Sequence, residues 1–127
     1  MNILIVDDEP QVAEVLAKSL GRQGHNATVV HSGEEALRMI ESAPPDALFL
    51  DVSMPGVNGL DVLTEVRRTR PHLAVVVITG HATPEEVEQV KRLGAVDVIP
   101  KPAALTHYHQ AIERLHTKNS TNAAERP

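Results

Sequence analysis

Short runs of aliphatic residues alternate along this chain with longer segments in which apolar residues recur at helical spacing. The five runs are residues 3–6, 27–30, 48–51, 73–78 and 95–99. Because each run is almost uninterrupted and is bounded by turn residues, it is typical of a strand buried on both faces of a sheet. Strict alternation of such strands with helices predicts an α/β fold, in which right-handed crossovers place helices on both faces of a parallel sheet.

Local signals mark where the helices begin and which strand lies at an edge. Ser32 is followed three residues later by Glu35, which predicts a helix N-cap with a capping box. Thr83, with a proline directly after it and then two acids, predicts another helix start. Pro100 cannot donate a hydrogen bond to a sheet ladder, so the fifth strand suits an edge of the sheet better than its centre.

Composition limits the class of protein. A chain of 127 residues, 42% of them hydrophobic, can form one domain with its own core. The absence of cysteine excludes disulfides and thiolate metal sites. No apolar run approaches the roughly 18 residues of a membrane span. The net charge of −5 argues against nonspecific nucleic-acid binding by this segment. We therefore expect a cytoplasmic protein with no membrane contact and no direct contact with nucleic acid.

Polar residues follow the strands at positions that a parallel sheet brings together. Asp7 and Asp8 follow the first strand, Asp51 ends the third, Thr79 follows the fourth and Lys101 follows the fifth. The carboxyl ends of parallel strands share one edge of the sheet, so these side chains should meet there. Carboxylates this close repel one another unless a cation lies among them, and oxygen ligands suit Mg²⁺. We predict a magnesium site, and we expect removal of any one acid to stabilise the metal-free fold.

The chain resembles a response-regulator receiver domain over residues 1–117. The motifs that carry the resemblance are Val6-Asp7-Asp8-Glu9, Leu50-Asp51 with Met54-Pro55 and Gly59, Ile78-Thr79-Gly80, and Lys101-Pro102. The resemblance implies a flavodoxin-like, doubly wound (βα)5 fold whose five-stranded parallel sheet has the order 2-1-3-4-5. Residues 118–127 are polar and lack periodicity, so we expect a disordered tail or the start of a linker.

The resemblance also implies how the acids act. Asp51 is similar to the aspartate that accepts a phosphoryl group from a phosphohistidine on a sensor histidine kinase or a histidine phosphotransfer protein. Asp8, Asp51 and the main-chain carbonyl of Ser53 are then direct ligands of Mg²⁺, and Asp7 acts mainly through a metal-bound water. The expected protein is a two-component signalling receiver that catalyses only its own phosphotransfer and dephosphorylation.

The same resemblance assigns four residues to the phosphoryl group. It implies that Lys101 holds a carboxylate or phosphoryl oxygen and that Thr79 hydrogen-bonds the phosphoryl group once it has arrived. Ser53 and Gly80 are expected to contact the phosphoryl group as well. Neither the kinase nor the output that this receiver controls is indicated by the sequence.

Two positions depart from the family pattern. Val98 stands where many receivers carry Tyr or Phe, and Ala103 stands where Phe usually follows the Lys-Pro motif. Neither change touches the residues assigned to phosphorylation. Both concern the route by which the signal leaves the site, and Val98 is too small and too stiff to swing as an aromatic ring does.

Two other functions share parts of this pattern. An aspartyl-nucleophile phosphatase of the haloacid-dehalogenase type needs a second acid two residues after the nucleophile, where this chain has Ser53. A flavodoxin-like nucleotide-binding module offers hydroxyls and main-chain amides to a phosphate in its first loop, whereas Asp7-Asp8-Glu9 would repel one. Turnover of a phosphoester would favour the phosphatase, and a bound flavin would favour the nucleotide-binding module.

Overall fold

A computed structural model of the chain describes residues 1–53, 59–80, 83–101, 107 and 110–115. Its strands are β1 (Asn2–Val6), β2 (Asn26–Val30), β3 (Ala47–Asp51), β4 (Ala74–Thr79) and β5 (Asp97–Pro100). All neighbouring strands are parallel, and their order in the sheet is β2-β1-β3-β4-β5. The predicted fold class and strand order are confirmed.

Helices alternate with these strands. They are α1 (Pro10–Arg22), α2 (Gly33–Ser42), α3 (Gly59–Thr69) and α4 (Pro84–Arg92), and residues 107 and 110–115 are helical as well. Several positions singled out in the sequence lie outside the described residues, namely Met54, Pro55, Pro102, Ala103 and the tail 118–127.

Alternate residues of each strand pack into two separate cores. Ile3, Ile5 and Phe49 pack with α1 and with helical residues 110–115 on one face of the sheet. Leu4 and Leu50 pack with α2, α3 and α4 on the other face. Successive side chains of a strand point to opposite faces, so a strand covered on both sides needs apolar residues at every position. This is why the strands read as continuous aliphatic runs in the sequence.

The local signals are borne out at the helix starts and at the sheet edge. The Ser32 hydroxyl accepts a hydrogen bond from the Glu35 amide at 3.2 Å and caps α2. The Thr83 hydroxyl caps α4 by accepting from the Glu86 amide at 3.2 Å. β5 pairs with β4 at the edge of the sheet, where Pro100 lies opposite Thr79.

The largest difference from the predicted strand boundaries is at the start of β5, whereas the other strand ends agree within one residue. β5 begins at Asp97, two residues later than predicted. The Ala95 amide donates to the Val90 carbonyl at 3.1 Å, so this residue belongs to the turn that ends α4. Gly94 in the same turn has φ +84°, a backbone conformation that residues with a side chain rarely adopt.

Gly59 allows α3 to begin close to the end of β3. A Cβ atom added at Gly59 would lie 2.3 Å from the Cα atom of Val52, the residue after Asp51. No rotamer can relieve a clash with backbone. Gly59 therefore permits α3 to pack closely against the residue that follows β3.

Candidate functional site

Four acids meet at the carboxyl edge of the sheet. Asp7, Asp8 and Glu9 follow β1, and Asp51 is the last residue of β3, the neighbouring strand. One ligand atom from each of the four lies within 4.8 Å of the others. The structure thus brings together the three acids that the sequence predicted, and it adds Glu9 to them.

Asp51 is buried, and both of its carboxylate oxygens are held by hydrogen-bond donors. Its Oδ1 accepts from the Ser53 amide at 2.8 Å and from the Ser53 hydroxyl at 2.7 Å. Its Oδ2 accepts from Lys101 Nζ at 2.5 Å. Burial acts to raise the pKa of Asp51, but the hydrogen bonds from Lys101 and Ser53 outweigh it and hold the pKa below its usual value. Asp51 is therefore a carboxylate at neutral pH.

Asp7 lies beside Asp51 but has the opposite electrostatic environment. Its Oδ1 accepts from the Glu9 amide at 2.9 Å and lies 3.4 Å from Lys101 Nζ. Its Oδ2 is buried and has no hydrogen-bond partner among the described residues. Burial, together with the negative charge of Asp51, raises the pKa of Asp7 to about 6. The ionised form of Asp7 is therefore costly in the metal-free protein.

Lys101 contacts three of the four acids. Besides Asp51, its Nζ contacts Glu9 at 2.8 Å and Asp7 at 3.4 Å. Burial lowers the pKa of Lys101, but the hydrogen bonds to Asp51 and Glu9 raise it above its usual value. Its backbone amide donates to the Thr79 carbonyl at 2.8 Å, which fixes the end of β5 to the end of β4. Lys101 is therefore a positioned, charged donor.

Ser53 links Asp51 to Gly80, the residue that follows β4. Its hydroxyl donates to Asp51 and accepts from the Gly80 amide at 3.2 Å. A Cβ atom added at Gly80 would lie 3.6 Å from the Ser53 hydroxyl oxygen, an ordinary contact distance. Both residues are thus placed within one or two hydrogen bonds of the Asp51 carboxylate.

Thr79 ends β4, the strand beside β3, and its side chain is buried. Its hydroxyl donates a hydrogen bond to the Glu86 carboxylate in the first turn of α4. The sequence pattern assigned Glu86 only to the start of the helix, and this contact was missed. Glu9 was missed in the same way, since the sequence offered only its place in an acidic run.

The donor set fits a hard divalent cation. All four acids offer oxygen ligands, which suit Mg²⁺ better than a softer metal. Among the described residues no donor reaches the buried Oδ2 of Asp7, so they do not compensate the desolvation of this oxygen. A cation among the acids would compensate it and would also offset the repulsion between Asp7 and Asp51.

A family model for the response regulator receiver domain matches residues 3–113, which include every one of these site residues. The chain belongs to this family. Among its relatives, the receiver domain is 44% identical over 105 residues to response regulator MprA of Mycobacterium avium, and 43% identical to MprA of Mycobacterium tuberculosis. Each match covers 83% of this chain and 46% of the relative. The chain thus spans about half the length of the curated relatives it matches.

Solved receiver structures have the same fold. NtrX from Brucella abortus superposes with a TM-score of 0.88 at 32% identity, covering 97% of this chain and 29% of that one. A CheY-like receiver domain protein from Methanospirillum hungatei superposes with a TM-score of 0.87 at 25% identity, covering 94% of this chain and 97% of that one.

These findings establish the class of protein. The chain is the receiver domain of a two-component response regulator, which is a signalling protein. The phosphatase and nucleotide-binding alternatives are not favoured. In the part of the chain that the structure describes, no helix is both long enough and apolar enough to span a membrane.

Proposed function

We propose that this receiver domain accepts a phosphoryl group on Asp51, with Mg²⁺ bound among the neighbouring acids. The observation that carries the proposal is the state of Asp51, a buried carboxylate kept ionised by Lys101 and Ser53 at the end of a central strand. Phosphoryl transfer depends mainly on positioning and on charge stabilisation, and the site supplies both.

In the proposed reaction an Asp51 oxygen forms a bond to phosphorus while the bond from phosphorus to the imidazole nitrogen of the donor breaks. The nitrogen keeps the electron pair of that bond, and Asp51 becomes an acyl phosphate. Lys101 Nζ lies 2.5 Å from the Asp51 carboxylate and would stay close to the negatively charged phosphoryl group after the transfer. Ser53 and Gly80 are placed to contact the phosphoryl oxygens, and the Thr79 hydroxyl donates to one of them.

Asp8, Asp51 and the main-chain carbonyl of Ser53 would hold Mg²⁺ directly, and Asp7 would contact it through water. When bound, the ion offsets negative charge on the acids and on the phosphoryl oxygens. Glu9 belongs to the same acidic group and shares Lys101 with Asp51. If the acids hold Mg²⁺, Lys101 would be available to contact the phosphoryl group.

The proposed donor is the phosphohistidine of a sensor histidine kinase or of a histidine phosphotransfer protein. Such donors are formed from ATP, so the proposal places the receiver in the cytoplasm. We assign the receiver to residues 1–117 and a tail or linker to residues 118–127. The phosphorylated domain would control an output through an output domain or a partner protein, without itself contacting nucleic acid or membrane.

The proposal is tested by incubating the purified protein with acetyl phosphate and Mg²⁺ and measuring its intact mass. We expect the wild type to gain the mass of one phosphoryl group and the gain to disappear in Asp51→Asn. Asp61→Asn, which removes an exposed acid from α3, is the matched control and should be phosphorylated like the wild type. An adduct that persists in Asp51→Asn, or that forms equally well in the presence of EDTA, would contradict the proposal.

A further inference from the structure

The side chain of Glu86 connects Thr79 to α4 through a hydrogen bond. The Thr79 hydroxyl donates to Glu86 Oε1, and the Glu86 backbone amide donates to the Thr83 hydroxyl that caps the helix. Thr79 is buried and Glu86 is half-buried, so the contact is sheltered from water on the side of the strand. The bond therefore joins the end of β4 to the first turn of the helix that follows it.

A hydroxyl has one proton to donate. Under the proposed function, the Thr79 hydroxyl donates that proton to a phosphoryl oxygen on Asp51. In this structure the proton is used by the Glu86 carboxylate. The phosphoryl group and Glu86 therefore compete for one donor, and phosphorylation has to break the bond between Thr79 and Glu86.

We infer that Glu86 is a positioning residue that holds Thr79 in the unphosphorylated arrangement and so sets the equilibrium of the switch, an inference that rests on the proposed function. Thr79 moves only when phosphoryl oxygens offer it a better acceptor than Glu86. Once released, the Glu86 carboxylate remains at the N-terminus of α4, where the helix dipole stabilises a negative charge. Both arrangements thus have low-energy contacts, as a two-state switch requires.

Glu85 provides a matched comparison for Glu86. It is the preceding residue of the same helix turn and carries the same charge, but its side chain is exposed. Replacing either residue by alanine removes one negative charge from the N-terminus of α4. Only Glu86→Ala also removes the acceptor that holds Thr79, so the difference between the two variants isolates the contact from the charge.

The test is the affinity of the Mg²⁺-loaded protein for beryllium fluoride, which imitates a phosphoryl group on aspartate. Hydrogen bonds to buried charged groups change equilibria by roughly tenfold or more, and the partial exposure of Glu86 places its effect somewhat below that. We expect Glu86→Ala to bind beryllium fluoride about fivefold more tightly than the wild type. Glu86→Gln, which keeps an acceptor without its charge, should lie between the two.

Glu85→Ala should change this affinity less than twofold, because exposed charges interact weakly through water. In a Thr79→Val background Glu86→Ala should have no further effect, since the hydroxyl that it releases is gone. Equal effects of Glu86→Ala and Glu85→Ala, or weaker binding by Glu86→Ala and Glu86→Gln, would overturn the inference. An effect of Glu86→Ala that survives in the Thr79→Val background would also overturn it.

Two controls separate this inference from the proposed function. Intact-mass measurement with acetyl phosphate shows whether the wild type is phosphorylated at all. A wild type that gains no phosphoryl group would refute both proposals. If the wild type is phosphorylated but Glu86→Ala and Glu85→Ala have the same affinity for beryllium fluoride, only the role of Glu86 is refuted. A double-mutant cycle tests the contact in the metal-free protein. It compares the free energies of unfolding of the wild type, Thr79→Val, Glu86→Ala and the double variant, and the coupling free energy between the two side chains should be favourable. A coupling of zero would also refute the contact.

Discussion

Replacing Asp7 by asparagine should stabilise the metal-free protein. Asp7 is buried, its Oδ2 has no hydrogen-bond partner among the described residues, and its pKa is raised from 3.8 to about 6. One pKa unit corresponds to about 1.4 kcal/mol, so ionised Asp7 destabilises the fold by up to roughly 3 kcal/mol at neutral pH. Asparagine removes this charge and keeps an oxygen for the Glu9 amide, which donates to Asp7 at 2.9 Å.

The expected gain is smaller than the full penalty because the buried amide of asparagine must also find partners. We expect about 2 kcal/mol at pH 7, equivalent to a rise of roughly 6–10 °C in Tm for a domain of this size. The gain should depend on pH. Between pH 4 and 6 the folded state binds more protons at Asp7 than the unfolded state does, so wild-type stability is lost as pH rises through this range.

The measurement is urea unfolding of wild type and Asp7→Asn at pH 5, 6 and 7 in the presence of EDTA. The stability difference should grow by about 1 kcal/mol between pH 5 and pH 7. Asp8→Asn is the control, because Asp8 belongs to the same acidic group but is exposed, and its replacement should change stability much less. An Asp7→Asn protein that is less stable than wild type at pH 7, or a difference that does not change with pH, would refute the reasoning.

Three further predictions follow from the same contacts. Asp51→Asn should lower the free energy of unfolding by about 1–2 kcal/mol at pH 7, because it loses charge-assisted hydrogen bonds; a higher Tm would show that repulsion dominates at this residue too. Gly59→Ala should cost about 3 kcal/mol in urea unfolding, since its Cβ would meet backbone at 2.3 Å. Gly21→Ala, in a helix with open space around it, should instead gain up to about 1 kcal/mol, and equal effects of the two changes would contradict the packing argument. In NMR spectra, beryllium fluoride should shift the Gly80 amide while the Val98 methyls keep their rotamer, and the reverse result would place the switch on β5.

The expectation that removing any one of the three acids stabilises the metal-free fold is now kept for Asp7 and reversed for Asp51. It treated Asp7 and Asp51 as equivalent carboxylates at one edge of the sheet. Three donor groups, one from Lys101 and two from Ser53, hold Asp51 and lower its pKa, whereas burial raises the pKa of Asp7. Which carboxylate accepts these hydrogen bonds depends on where Lys101 and Ser53 lie in the folded protein. The spacing of residues in the sequence does not predict those positions.

Two contacts of the site were beyond the reach of sequence reasoning for a related reason. Glu9 and Lys101 are 92 residues apart, and their 2.8 Å contact exists because β1 and β5 end at the same edge of the sheet. Glu86 and Thr79 are separated by seven residues, but the helix-start pattern already explained Glu86. An acid in a first helical turn is ordinary, so the sequence offered no signal for its second role.

The sequence pattern by itself determined the fold class and the edge of the sheet at which the site lies, whereas the strand order came from the family resemblance. Strands buried on both faces require unbroken aliphatic runs, helices in between require crossovers, and parallel strands end at one edge. Those rules act through local patterning and chain topology, which the order of residues specifies directly. The tertiary structure alone decided which acid is stabilised and which is strained, and which side chain holds the Thr79 hydroxyl. Such differences arise from burial and from individual donors within about 3 Å, which depend on the packed positions of residues distant in the chain.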